Sequence, residues 1–136
     1  MINDLIKLMK EQKAHLDQLV VLLQVQKEMI MKKDAFGLEG LVNKLSDCSK
    51  KIAQEEVARR KMLNNSSIKE FVSNAKNKEL TEIYSELSST LEKVIFQKET
   101  NELLIKQQVS LNSKILEMMN PNRDMKTYNS YGNLSR

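Results

Sequence analysis

Few residues in this 136-residue chain could do chemistry: it has one histidine, His15, and one cysteine, Cys48. Nucleophilic or acid–base catalysis needs several reactive side chains converging in a pocket, and such a chain has little means of building one, so it reads as non-enzymatic with no cofactor. Cys48 has no neighbouring Cys or His at ligand spacing, which leaves no metal site, and a free thiol on an apolar stripe packs as a small hydrophobe. His15 flanks Leu16, and an isolated histidine there reads as a solvated edge residue rather than a ligand or pH sensor. Glu55 and Glu56 precede Arg59, Arg60 and Lys61 by helical steps, the pattern of ion pairs on a solvated face. Met118, Met119 and Met125 remain. Flexible thioethers suit a surface that repacks around partners, with ordinary core filling as the competing reading.

The elements that carry these residues read as helices. Three Gly, one Pro, no Trp and 4% aromatic residues leave few turn and strand formers, whereas Lys, Glu, Leu, Gln and Met favour helix. Ile2, Leu5, Met9, Leu16, Leu19, Leu23 and Ile30 fall on three- and four-residue steps, with Gln12 and Gln26 filling the remaining seam positions. The spacing predicts a helix over 2–32. Lys32 and Lys33 suit its C-terminus and Asp34 supplies an N-cap for a second helix over 35–63, an antiparallel neighbour after so short a turn. Leu38, Leu41, Leu45, Cys48, Ile52 and Met62 continue the seam, while Glu55 and Arg59 interrupt it and predict that the hairpin opens at that end.

Asn64 to Ser67 form a break. Ser67 with Glu70 makes a capping box for a short helix over 67–75, ended by Asn74 and Asn77. From Glu79 to Met119 neither Gly nor Pro intervenes. Leu80, Tyr84, Leu87, Leu91, Val94, Ile105, Ile115 and Met119 make one stripe of about 60 Å of helix. Lys98, Asn101, Gln108 and Asn112 lie on the same stripe, so its second half is more polar than its first. Asn120, Pro121 and Asn122 end this helix. Residues 120–136 lack an amphipathic period and predict a flexible tail that orders on binding. The fold class expected is therefore all-α. It is an elongated, coiled-coil-like antiparallel bundle in which a helical hairpin packs on one long C-terminal helix. Residues 1–119 form a single domain, and the chain is a monomer or weak homodimer.

The net charge of +4 is dispersed along the chain, with no basic face for nucleic acid. Apolar runs such as Leu19 to Leu23 are far shorter than the ~20 residues that span a bilayer, so no membrane insertion is expected. Neither a basic leader nor a cleavage site follows Met1, and a lone cysteine fits a reducing compartment, which together predict a cytoplasmic protein.

Taken in order, the leucine-rich first helix, the second helix with "LVNKLSDCSKKIAQEEVARRKML", the last helix with "TNELLIKQQVSLNSKILEMM" and the "TYNSYG" tail resemble the FlgN family of flagellar export chaperones. The detail lies in Asn101, the pair Leu104 and Ile105, then Leu111, Ile115 and Leu116, with a Tyr and Gly soon after. The resemblance implies a chaperone that holds the hook-filament junction proteins and delivers them to the flagellar type III export gate. It also implies client binding through the C-terminal part, at Asn101, Leu104, Ile105, Leu111, Ile115, Met118 and Met119, and a gate contact at Tyr128. A scaffold coiled coil that forms a stable homo-oligomer is the alternative, since seam amides such as Gln12, Gln26, Asn101 and Asn112 also fix register in such assemblies.

Overall fold

A computed structural model of the chain describes residues 1–119, together with the backbone of 127–129 and 133–135. Four helices account for nearly all of residues 1–119: α1 (Ile2–Lys32), α2 (Ala35–Met62), α3 (Ile68–Ala75) and α4 (Lys78–Met119). The all-α class holds. Two three-residue strands, β1 (Thr127–Asn129) and β2 (Asn133–Ser135), pair antiparallel with Tyr128 opposite Leu134. The rest of the tail, and with it the expected flexibility, lies outside the described residues.

Local chemistry sets each boundary. Lys33 closes α1 in the left-handed region (φ 57°), its amide bonded to the Ile30 carbonyl. The Asp34 carboxylate then accepts the Gly37 amide (2.9 Å) and starts α2. A Cβ at Gly37 would meet that carboxylate, the end of an exposed side chain that would have to shift. Asn64 and Asn65, both with positive φ, carry the chain out of α2, a conformation asparagine tolerates better than most residues. Ser67 caps α3 by accepting the Glu70 amide. Asn77, expected only to end α3, accepts the Leu80 amide (3.0 Å) and so caps α4.

Two compact units follow from the contacts, Met1–Asn101 and Glu102–Arg136, and α4 contributes to both. In the first unit, His15 faces Glu55 and Gln12 faces Glu56, so α1 and α2 run antiparallel. Lys10 pairs with Glu79 and Leu23 meets Asn101, so α4 runs parallel to α1. The core is one cluster: Leu5, Ile6, Met9, Leu16 and Leu23 of α1 pack with Leu80, Ile83, Leu87 and Val94 of α4, closed at one end by Leu63 and Val72. Every position of the α1 seam, Gln12 and Gln26 included, is buried or half-buried.

Candidate functional site

Between α1 and α2 the seam is polar where opening was expected, and it does not open. The His15 imidazole Nδ1–H donates to Glu55 Oε2 (2.7 Å), and Glu55 keeps only 11% of its side-chain surface. A carboxylate only accepts, so the proton must sit on Nδ1. His15 is therefore tied across the hairpin rather than solvated. One turn away, Gln12 Nε2 donates to the Ile52 carbonyl (3.5 Å) and to Glu56 Oε1 (3.4 Å). Glu56 in turn accepts from Arg59 (2.7 Å) and Arg60 (3.2 Å). Burial pushes the Glu56 carboxyl up, but the Arg59 charge and the hydrogen bonds from Gln12, Arg59 and Arg60 outweigh it and hold the group below the usual glutamate range. Cross-helix bonds thus replace the missing apolar contacts.

Cys48 is buried, and its thiol donates to the His15 carbonyl (3.2 Å). Burial pushes the thiol's pKa up and Glu55 adds to that, against a smaller opposing pull from Lys51. The sulfur is held as a neutral packing group. Among the described residues no cluster of three His, Cys, Asp or Glu could hold a metal ion, and no helix is long and apolar enough to cross a membrane.

The residues singled out for binding divide into two environments. Asn101 is 2% exposed in the first unit; its Nδ2 donates to the Leu23 carbonyl (2.8 Å) and to Gln26 Oε1 (2.9 Å), while its Oδ1 accepts from Gln97 (3.0 Å). All its polar atoms are engaged inside the fold. In the second unit Leu104 is half-buried, whereas Ile105, Leu111, Ile115, Met118 and Met119 are exposed, the two methionines by 84% and 73%. Core filling does not describe these methionines. Leu103, Val109 and Leu116 are exposed as well, so eight large apolar side chains face outward between residues 103 and 119. Sequence reasoning passed over Leu103 and Val109, which lie off the main stripe and carry only their composition as a signal. Met125 and the Tyr128 side chain lie outside the described residues; the Tyr128 backbone is in β1.

A run of exposed large apolar side chains along a helix marks a surface for another protein and defines a class, the helical binding proteins. The comparison with family models specifies which one: the model described as FlgN protein matches residues 1–136, and the chain belongs to that family of flagellar export chaperones. No curated protein and no solved structure is significantly similar to the chain.

Proposed function

We propose that the protein holds the hook-filament junction proteins before export, in a cytoplasmic setting, and hands them to the flagellar type III secretion gate. The observation that carries this reading is the run of exposed apolar side chains on α4 after Asn101, on a chain whose family is one of export chaperones. A client helix with anchors at helical spacing docks against Leu104, Ile105, Leu111, Ile115, Met118 and Met119. Asn101 serves the same region through the fold, by fixing α4 against α1. Tyr128 makes the gate contact.

Light scattering after size exclusion, on the chain mixed with each junction protein, tests the reading. The expected result is a defined complex, lost when the exposed Ile115 and Met119 are both changed to Ser while thermal stability is unchanged. A stable homo-oligomer indifferent to both proteins would instead establish the scaffold. In the same series Tyr128→Ala should leave the complex intact and lower secretion of the junction proteins; undiminished secretion removes Tyr128 from the gate contact.

A further inference from the structure

The burial pattern of a helix reflects how many neighbours it has. α1 packs against both α2 and α4, and it covers residues in adjacent pairs: Leu5 with Ile6, His15 with Leu16 and Leu22 with Leu23 are each buried or half-buried. Adjacent residues point about 100° apart, so a pair serves two neighbours. His15 meets Glu55 of α2, while Leu16 packs in the core with α4. On α4 the buried residues form a single line instead, Leu80, Ile83, Leu87, Thr90, Val94 and Asn101.

After Asn101 the pattern doubles. The same line continues through Leu104, Leu111, Ile115 and Met118, and a second runs beside it through Ile105, Val109, Leu116 and Met119. Leu104 with Ile105, Ile115 with Leu116 and Met118 with Met119 are adjacent pairs of the kind that α1 covers with two neighbours. Leu104 is half-buried, and the other seven residues are 40–84% exposed. The two lines lie about 100° apart and together take up about half of the helix circumference, wider than the roughly 100° stripe of a helix packed on one side. Of the exposed apolar residues here, only Leu103 lies off both lines. Before Ile105 the second line carries Lys98 and Glu102, so the doubling is confined to the end of the helix. Lys106, Ser110, Ser113 and Lys114 fill the opposite side.

We propose that the end of α4 takes two helices of one client at once, packing against both as α1 packs against α2 and α4. This deepens the chaperone reading above and rests on it. One client helix lies along Leu104, Leu111, Ile115 and Met118, the continuation of the line that already packs on a helix in the first unit. The second lies along Val109 and Leu116. Ile105 and Met119, at the inner edge of the second line, touch both. Two helices of one chain lose translational and rotational freedom once, so the second adds burial at a lower entropic cost than a separate partner would. The client segment is therefore a pair of amphipathic helices, each with aliphatic residues at three- and four-residue steps.

The test uses the complex of the full chain with a junction protein. A photo-crosslinking residue, p-benzoylphenylalanine, replaces Leu111 on the first line, Leu116 on the second or Ser110 on the polar side, one at a time, and mass spectrometry locates the adducts. Adducts from positions 111 and 116 are expected on two separate segments of the client sequence, and none from position 110. Adducts from both positions on one segment, within about two turns of helix of each other, would overturn the proposal. So would adducts from position 116 on a second copy of this chain. In parallel, Val109→Ser combined with Leu116→Ser, at positions 60% and 67% exposed, should leave thermal stability unchanged and weaken the complex about tenfold or more. Unchanged affinity also overturns it. Absence of a complex with both junction proteins removes the chaperone reading and this inference with it, whereas a complex crosslinked through one segment removes this inference alone.

Discussion

Replacing Asn101 asks whether a single buried amide holds α4 in register on α1. Asn101→Ala deletes two hydrogen bonds donated to α1, at 2.8 and 2.9 Å, and one accepted from Gln97 at 3.0 Å. Each is worth about 1 kcal/mol net. Gln26 and Gln97 are half-buried and regain water, which offsets part of the loss, while the vacated space adds a cavity cost. The sum is a destabilisation of about 2–3 kcal/mol. With a urea m-value of about 1.5 kcal/mol per molar, the midpoint should fall by roughly 1.5–2 M. Asn101→Leu refills the space and should lose about half as much. A double-mutant cycle with Gln26→Ala should return a coupling of about 0.5–1.5 kcal/mol. A midpoint shift below about 0.3 M for Asn101→Ala, or zero coupling to Gln26, would refute the register argument. Under conditions where the variant stays folded, its affinity for the junction proteins should be unchanged, because all three polar contacts of Asn101 are internal. A loss of affinity there would make Asn101 a client contact.

Two further predictions concern the α1–α2 seam. Because the Glu56 carboxyl is held below the usual range, the stability it contributes is complete above that range and is lost as pH falls through it and below, from roughly pH 4.5 downward. Wild type should exceed Glu56→Gln by about 0.5–1 kcal/mol at pH 7, with the gap narrowing as the pH falls below the usual glutamate range; a gap that does not depend on pH rules out the Arg59–Arg60 cluster as its source. Cys48, buried and with its thiol pKa pushed up, should react with iodoacetamide at pH 8 at least about a hundredfold more slowly than in the urea-unfolded chain. Equal rates would mean that the hairpin opens at Cys48 in the native state.

What could be read in the sequence was whatever local chemistry determines. Apolar residues at three- and four-residue steps give α1 and its buried face, and Asp34 and Ser67 stand before their helices as capping residues do. Asn77 was ambiguous because asparagine serves equally after one helix and before the next, and its bond to the Leu80 amide decides for the latter. Glu55 was misjudged for a different reason. Periodicity says which face a residue occupies but not which residue lies opposite on the neighbouring helix. Only the axial register of α1 on α2 brings His15 within 2.7 Å of it. The same limit hid the exposure of Leu91, which sits on the stripe yet stays 46% exposed, because periodicity does not say how many helices surround α1. The exposed methionines at the end of α4 were legible as a candidate surface, because polar seam residues precede them and Pro121 ends the helix soon after.

Burial is inverted between the two units, and the inversion has an energetic consequence. The first unit buries Gln12, Thr90 and Asn101 on its seams, while residues 103–119 leave leucines, isoleucines and methionines in water. Full burial of such a side chain contributes about 1.5–3 kcal/mol. Ile105, Leu111, Ile115, Met118 and Met119 are 40–84% exposed, so a partner covering them recovers only about half of that for each, roughly 4–8 kcal/mol together. Association itself costs about 4–15 kcal/mol in lost freedom. Terms of similar size leave a modest net affinity unless the client adds hydrogen bonds or a longer interface. If the proposed client site is correct, a surface balanced in this way would capture a client and still release it without chemical input, as a carrier that must surrender its cargo requires.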